Sequence, residues 1–230
     1  MKRISTILPS VLAIVILVLC VSFFGRPKFS KEVPQNILDN FIPSVVMISD
    51  GDNVVGAWTI IDSKRGFILT SSHLFLWKKQ YQVRLQNGQK YPFQVIYQHE
   101  AQDISLLKIL PDEMFKKIPS ATVVMTQNSL HRWERVTAFW AFPISKTVIL
   151  SQGVISDIAQ KITLPTLQKE QVLIQTDINT MSGFSGGPLI NARGEVLGVN
   201  TAQLSQVRIS WSTPVTSDLI AQMSDILSAQ

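Results

Sequence analysis

The sequence predicts an all-β fold that ends in a helix, and three observations carry this prediction. Short runs rich in β-branched and aromatic residues alternate with turn residues along most of the chain. The dipeptide Asn87-Gly88 stands between two runs in which apolar and polar residues alternate. A helical period of apolar residues returns near the C-terminus, from Leu219 to Leu227. About twelve short strands followed by a helix favour paired barrels or a sandwich.

Composition places the chain among folded globular proteins. Of its 230 residues, 46% are hydrophobic and 16% are charged, which is too apolar and too varied for a disordered or collagen-like chain. The length suits one sizeable domain or two small ones. The net charge of +5 is small and the basic doublets are scattered, so the sequence does not indicate a nucleic-acid partner.

Cysteine and histidine usage argues against a disulfide or a metal site. The one cysteine, Cys20, lies inside an apolar N-terminal run. The three histidines, at positions 73, 99 and 131, lack the close spacing of paired zinc ligands. We therefore expect no cofactor and no metal.

The first 25 residues predict a membrane-spanning signal anchor. Two basic residues precede an apolar stretch of 18 residues from Ile7 to Phe24. As a helix, with about 1.5 Å per residue, this stretch reaches roughly 27 Å, close to the thickness of a bilayer core. A signal peptide cleaved after Ser22 is the less favoured alternative, because the flanking residues make a poor cleavage site. Since a long downstream domain translocates largely regardless of flanking charge, we expect a single-pass membrane protein with residues 43–230 on the extracytoplasmic side, periplasmic or extracellular.

Residues 26–42 predict a polar linker followed by a short amphipathic helix. The linker carries two prolines, and Ile37 and Phe41 then stand four residues apart on one helix face. Pro43 ends the helix.

Short strands are expected from there to the final helix. Two alternating runs, 81–85 and 93–97, flank Asn87-Gly88, which predicts a hairpin with positive φ at both turn residues. Arg193-Gly194 predicts a second tight turn, and Thr216 and Ser217 are candidate caps of the last helix. The other strands are predicted at 45–49, 54–61, 66–70, 104–110, 121–125, 134–142, 147–158, 171–177, 187–191, 195–200 and 207–212.

A glycine-rich segment around Ser185 indicates nucleophilic chemistry. Gly183, Gly186 and Gly187 surround this serine, and consecutive amides in such a turn can form an anion-binding nest. Acyl transfer needs a nucleophile beside such amides, a histidine that takes its proton and a carboxylate that orients the histidine. His73 follows one predicted strand and Asp103 begins another. A serine in a glycine-rich turn is by itself more often structural, but the order His, Asp, Ser is one of the known triad orders.

These segments resemble the motifs of trypsin-like serine proteases of the HtrA/Deg (high-temperature-requirement) type. Residues 66–73 (GFILTSSH) resemble the family's histidine motif, and residues 103–108 (DISLLK) resemble its aspartate motif. Residues 183–191 (GFSGGPLIN), with Thr176-Asp177 upstream, resemble the serine motif, and 194–201 (GEVLGVNT) are similar to the strand that follows. The resemblance extends from about Val45 to Pro214.

The resemblance implies a serine protease domain over residues 43–230, made of two antiparallel six-stranded β-barrels at about 43–120 and about 121–230. It implies a catalytic triad of His73, Asp103 and Ser185 in the cleft between the barrels. The backbone N–H groups of Gly183 and Ser185 would form the oxyanion hole.

The same resemblance places a specificity pocket near Asn179 and Thr180, with Thr201, Ala202 and Ser210 as its walls. These residues are all uncharged, which argues against a preference for Lys or Arg and favours small or medium apolar substrate side chains.

The sequence departs from the family pattern at three places. Phe184 stands where the family usually carries asparagine and where digestive relatives carry the aspartate that captures a new N-terminus, so we expect no such zymogen switch. Ser210 replaces a glycine, which narrows the substrate channel. About fifteen residues follow Pro214, so we expect no PDZ domain. The tryptophans Trp58, Trp133 and Trp140, in strand-like runs, are expected in the core.

The sequence therefore predicts a membrane-tethered serine endopeptidase that acts in protein quality control, cleaving unfolded or extended polypeptides through an acyl-enzyme. The alternative is a catalytically silent protease-fold module that binds peptides as a chaperone or scaffold. A third hypothesis is a membrane anchor for a partner complex. The expected partners are polypeptide substrates and, through residues 1–25, the membrane, and a homo-oligomer is left open.

Overall fold

The computed structural model describes residues 32–75, 81–99, 102–124, 130–142, 144–164, 169–181 and 183–228. The predicted membrane anchor at residues 1–25 lies outside these described residues. Among the residues that are described, none of the helices has the length and apolar character needed to cross a bilayer.

The described residues are mostly β-strand, with two sheets and a short C-terminal helix, which confirms the all-β prediction. The helices are α1 (Gln35–Phe41) and α2 (Ser217–Ser228), with 3₁₀ helices at Ile42–Ser44, Ser72–Phe75, Phe115–Lys117 and Ser205–Val207. The strands of the first sheet are β1 (Val45–Asp50), β2 (Asn53–Asp62), β3 (Phe67–Thr70), β4 (Tyr81–Arg84), β5 (Lys90–Tyr91), β6 (Phe93–Gln98) and β7 (Ser105–Ile109). Those of the second are β8 (Thr122–Val123), β9 (Arg135–Phe142), β10 (Thr147–Leu164), β11 (Lys169–Thr176), β12 (Pro188–Ile190), β13 (Glu195–Leu204) and β14 (Ile209–Pro214).

Pro92 allows the first sheet to close on itself. The strands lie in the order β5-β4-β1-β2-β3-β7-β6, so β5 and β6 stand at opposite ends although Pro92 alone separates them. Proline has no N–H to contribute to a ladder, which permits a strand to change partners at that residue. The segment 90–98 therefore pairs with β4 through its first part and with β7 through its second.

The second sheet closes through β12. This short strand pairs with β9 on one side and with β13 on the other, and β10, β11 and β14 complete the path between them. The two-residue β8 adds to β13 in parallel. Closure of this kind leaves unpaired edges only where a strand runs past its partner, as β13 runs past β12.

The hairpin at Asn87-Gly88 forms, but with a different turn from the one predicted. Gly88 has a φ of +89°, whereas Asn87 is absent from the residues with positive φ. The Gly88 N–H donates to the Leu85 carbonyl at 2.9 Å, and the Leu85 N–H donates to the Gln89 carbonyl at 2.8 Å. The loop therefore has three residues with glycine in the left-handed position, the next most common hairpin type.

Several strands extend beyond their predicted ends. β10 continues to Leu164 rather than ending at 158, and β13 continues to Leu204 rather than ending at 200. β14 occupies 209–214 instead of 207–212, because the left-handed residue Arg208 (φ +52°) completes the turn before it. A register shift between Asn200 and Ala202 lets β13 bend and keep its pairing with β14.

A shared hydrophobic cluster joins α1 to both sheets. Phe41 of α1 packs on Phe139 of β9 with ring centroids 5.2 Å apart. The same cluster contains Val45 and Met47 of the first sheet and Ile190 of the second. The core is therefore continuous between the sheets.

The three strand-region tryptophans do not share one environment. Trp58 and Trp140 are buried, as predicted. The prediction is wrong for Trp133, which is 72% exposed. Its φ of +70° and a hydrogen bond from its N–H to the Ile155 carbonyl hold it in a turn before β9, where the side chain points away from the core.

Helix α2 covers one side of the molecule. Thr216 caps it, because its hydroxyl accepts the Leu219 N–H at 3.3 Å, as the sequence predicted. Leu219 and Met223 bury their side chains in a cluster with residues of β3, β7 and β13. At the far end, the Arg65 guanidinium donates to the Leu227 carbonyl at 2.7 Å.

Candidate active site

The histidine predicted to act as a base is oriented by the predicted aspartate. The strand β3 ends at Thr70, and His73 follows on a 3₁₀ turn. The His73 Nδ1 lies 2.6 Å from Asp103 Oδ2, and the His73 backbone N–H donates to Asp103 Oδ1 at 2.8 Å. Since both carboxylate oxygens are engaged by one residue, the imidazole ring is fixed with Nδ1–H toward Asp103 and Nε2 away from it.

Thr201 supplies a further hydrogen bond to the aspartate. Its hydroxyl donates to Asp103 Oδ2 at 2.6 Å. The Asp103 side chain is fully buried, so every hydrogen bond to its carboxylate offsets the cost of removing a charge from water. The assignment of Thr201 to the wall of a substrate pocket stays a prediction.

Two left-handed glycines shape the turn that carries Ser185. Gly183 has a φ of +93° and Gly186 a φ of +83°, conformations that residues with a Cβ rarely adopt. The Phe184 N–H donates to the Met181 carbonyl at 3.2 Å, and the Gly186 N–H donates to the Asn200 carbonyl at 2.8 Å. The turn is therefore fixed on both sides of the serine.

This turn packs against the histidine segment. A Cβ on Gly186 would clash with Thr70 Oγ1 and would lie 3.0 Å from Leu74 Cδ1, so only glycine fits there. The Ser185 carbonyl accepts the Ala57 N–H of β2 at 3.1 Å. Within the described residues, no hydrogen bond joins the Ser185 hydroxyl to the His73 ring. Such bonds are often long in unliganded enzymes and shorten when a substrate binds.

Two backbone amides, those of Gly183 and Ser185, are expected to form an oxyanion hole. Within the described part of the chain, neither the Gly183 N–H nor the Ser185 N–H donates a hydrogen bond to protein. The Gly183 carbonyl is instead engaged by the Ala141 N–H at 3.1 Å. Both amides are therefore available to an oxygen ligand beside Ser185.

Phe184 packs in the core beneath the turn. Its side chain is 2% exposed and lies in a cluster with Val136, Ile178 and Leu189. It packs inside, and the turn is anchored by apolar burial.

Asn200 links the serine turn to the histidine segment, a role that the sequence did not indicate. This asparagine is fully buried, and its carbonyl accepts both the Gly186 N–H and, at 3.0 Å, the Ser71 hydroxyl. Its side-chain amide donates to the Phe139 carbonyl at 3.1 Å and accepts from the Ser212 hydroxyl at 2.9 Å. Its neighbour Thr201 donates a hydrogen bond to Asp103. The serine turn, the histidine segment and Asp103 are therefore all held by two consecutive residues.

The residues predicted to form the specificity pocket have different environments. Asn179 is exposed, Thr180 is buried and Ala202 is half-buried. The Ser210 hydroxyl lies 2.7 Å from the Thr176 hydroxyl, and the Thr180 hydroxyl donates to the side-chain carbonyl of Gln203. Gln203 stands in no motif, and its position two residues after Thr201 was the available signal in the sequence.

Among the described residues, no group of three or more His, Cys, Asp and Glu side chains is arranged to hold a metal ion. The site combines a histidine, a buried carboxylate, a hydroxyl and two backbone amides that have no acceptor among the described residues. These are the groups that acyl transfer requires.

A trypsin-like peptidase domain is the family whose profile matches this chain, over residues 57–199, and the chain belongs to that family. Its relatives include the serine endoprotease DegS of Haemophilus influenzae, 30% identical over 190 residues, which cover 81% of this chain and 53% of the relative. Serine protease HTRA1 of Xenopus tropicalis is 33% identical over 200 residues, which cover 82% of this chain and 42% of the relative. The chain thus spans about half of these relatives or less.

Solved structures support the same fold. The HtrA-type protease AlgW with a decapeptide superposes with a TM-score of 0.68 at 21% identity, covering 84% of this chain and 67% of that one. A second AlgW structure, with a tripeptide, gives a TM-score of 0.68 at 23% identity, covering 83% of this chain and 62% of that one. At this identity, the likeness concerns the fold.

Proposed function

We propose that this protein is a serine endopeptidase of the HtrA type that cleaves extended polypeptides. The observation that carries the proposal is the buried Asp103 carboxylate, which orients His73 beside a turn with Ser185 and two free amides. The relatives named as serine endoproteases support the same reaction.

In the proposed mechanism, Ser185 Oγ attacks the scissile carbonyl while His73 Nε2 takes its proton. Asp103 keeps the proton on Nδ1 and stabilises the imidazolium that forms. The Gly183 and Ser185 N–H groups bind the oxyanion, and each such donor contributes about 3 kcal/mol to lowering the barrier. His73 then protonates the leaving amine, and water hydrolyses the acyl-enzyme.

An unpaired strand edge beside the site supports an extended substrate. The pairings among the described residues place β14 along one edge of residues 201–204 and no strand along the other. An extended peptide can pair with such an edge through its backbone, largely independently of its sequence. We infer that unfolded or extended segments bind there, with small or medium apolar side chains preferred next to the scissile bond.

We propose further that residues 1–25 anchor the protease domain on the extracytoplasmic side of a membrane. The apolar stretch from Ile7 to Phe24 supports this location.

A self-associated form is also compatible with the family. We also propose that the two sheets form the two closed six-stranded barrels of the family. The strand order supports this, because β5 and β6 bring the ends of the first sheet together and β12 joins the ends of the second.

The test is labelling of the purified full-length chain in detergent with a fluorophosphonate probe. We expect labelling of the native protein, loss of labelling in Ser185→Ala and His73→Ala, and unchanged labelling in Ser224→Ala, a matched change at an exposed helical serine. Absence of labelling in the native protein, with retained binding of unfolded polypeptide, would favour the peptide-binding module instead.

A further inference from the structure

The end of β13 and the start of β14 place three polar side chains in one row. Ser210 is paired with Thr176 of β11 on one side and with Gln203 of β13 on the other. Directly paired residues project to the same face of a sheet, so all three side chains share that face. The Ser210 and Thr176 hydroxyls are hydrogen-bonded to each other and are almost fully buried.

Thr180 extends this row from the segment that precedes Ser185. It precedes Ser185 by five residues and is 5% exposed, and its hydroxyl donates to the Gln203 side-chain carbonyl. Gln203 follows Thr201, whose hydroxyl holds Asp103. The bond between Thr180 and Gln203 therefore joins the chain leading to the nucleophile to the strand that supports the triad.

The half-buried Gln203 side chain spans the gap between β13 and Thr180. A substrate backbone that pairs with the free edge of residues 201–204 would bring the side chain before the scissile bond to this same gap. Because the Gln203 amide is held by Thr180 and its neighbour Ser210 is held by Thr176, neither side chain can move aside without losing a hydrogen bond.

We propose that Gln203, held by Thr180, is a specificity-determining residue that limits the substrate side chain before the scissile bond to glycine, alanine or serine. This inference rests on the proposed endopeptidase function and narrows it, because branched aliphatic and aromatic side chains are excluded as well as basic ones. Gln203 acts by filling the gap and touches substrate directly.

The test uses full-length protein and tetrapeptide p-nitroanilides that differ only in the residue before the scissile bond. We expect the native protein to cleave the alanine substrate at least about tenfold better than the leucine substrate, in kcat/KM. Gln203→Ala should raise kcat/KM for leucine by about tenfold or more and change that for alanine by less than about threefold. Gln203→Glu, of equal size, should still exclude leucine.

A matched control and a binding measurement separate this inference from the proposed function. Gln206→Ala, at an exposed glutamine three residues along, should leave the ratio of kcat/KM for the alanine and leucine substrates unchanged. Binding of product peptides ending in alanine or leucine is measured by calorimetry on Ser185→Ala, with and without Gln203→Ala. One outcome is that the native protein cleaves no substrate, while Gln203→Ala still shifts the ratio of the affinities for the alanine and leucine peptides. In that case the endopeptidase proposal fails and the role of Gln203 stands. The role of Gln203 is overturned if Gln203→Ala leaves the preference for alanine over leucine unchanged. It is also overturned if neither peptide binds.

Discussion

The Asp103 carboxylate accepts hydrogen bonds from the His73 ring, the His73 backbone and the Thr201 hydroxyl. The bond from Thr201 comes from β13, on the opposite sheet from His73. Its effect on His73 is indirect, since it fixes the carboxylate that fixes the ring. Thr201 is therefore a positioning residue.

Replacing Thr201 by valine should slow catalysis without weakening substrate binding. A hydrogen bond to a buried charge contributes about 1.5–3 kcal/mol, so kcat should fall about 10- to 100-fold while KM changes little. The measurement is steady-state hydrolysis of the alanine p-nitroanilide. Thr213→Val is the control, because the Thr213 hydroxyl contacts Thr201 at 3.1 Å but does not reach Asp103. An equal loss of kcat in both variants would show a general packing effect instead.

Burial raises the pKa of the Glu134 carboxyl, and one of its oxygens is buried with no hydrogen-bond partner among the described residues. The folded state therefore binds this proton more tightly than the unfolded state, so raising the pH above the ordinary range of a glutamate lowers the free energy of unfolding. Glu134→Gln should be more stable than the native protein at pH 7, and this difference should shrink at pH 4. Urea unfolding at both pH values measures this difference in the free energy of unfolding.

The matched control for that change is Glu113→Gln, whose side chain is 84% exposed. It should leave the pH dependence of unfolding close to that of the native protein. A stability difference for Glu134→Gln that grows as the pH falls would contradict the sign given by burial.

Residue types at and around Ser185 could be predicted from the sequence, whereas their partners could not. His73, Asp103 and Ser185 stand in motifs with local signatures, and the structure brings His73 and Asp103 into contact. Asn200 lies in the family-like segment 194–201, but that resemblance did not indicate its contacts, and Gln203 lies outside the segment. Their roles depend on strand pairing and on a register shift between Asn200 and Ala202, which position along the chain does not reveal.

The two tight hairpin loops have the same construction but different surroundings. Gly88 and Gly194 both have positive φ, and each donates its N–H to the carbonyl three residues earlier, that of Leu85 and that of Asn191. A Cβ on Gly88 would meet only an Arg84 nitrogen at 3.8 Å, whereas on Gly194 it would lie 2.8 Å from Ile37 Cγ2 of α1. The second loop is therefore packed against a helix.

Alanine at these two positions should separate backbone strain from crowding. Gly88→Ala should cost about 1–2 kcal/mol of unfolding free energy, the cost of a left-handed residue with a Cβ. Gly194→Ala should cost about 1–3 kcal/mol more, since Ile37 must shift. Urea unfolding measures both changes. Adding Ile37→Ala should remove most of the extra cost, and equal costs for the two glycine variants would contradict the contact with α1.

At the scale of elements, the existence of strands was predictable but their connections were not. The alternating run at 93–97 correctly indicates a strand, and Gly88 correctly indicates a hairpin. The sequence pattern cannot show that Pro92 divides one segment between partners at opposite ends of a sheet. That outcome depends on closure of the whole sheet, a property of long-range pairing.

Across the whole molecule, the two sheets share hydrophobic core, so we expect them to unfold together. Phe139 of the second sheet is fully buried in a cluster with Val45 and Met47 of the first sheet. Phe139→Ala should lower the free energy of unfolding by about 3–5 kcal/mol. The urea unfolding transitions reported by the fluorescence of Trp58 in the first sheet and of Trp140 in the second should shift by the same amount.

Single-tryptophan fluorescence during urea unfolding measures those two transitions separately. Leu110→Ala, at a side chain that is 89% exposed, is the control and should shift neither transition. A shift at Trp140 with none at Trp58 would mean that the sheets unfold independently in spite of their common core.

The buried Phe184 has a consequence for how the cleft responds to solution conditions. An ion pair that held the serine turn would weaken with salt, because about 0.1 M salt screens exposed charges beyond roughly 10 Å. Apolar burial is not screened in this way and is strengthened by excluded salts such as sulfate. The geometry of the Gly183 and Ser185 amides should therefore persist from low to high ionic strength.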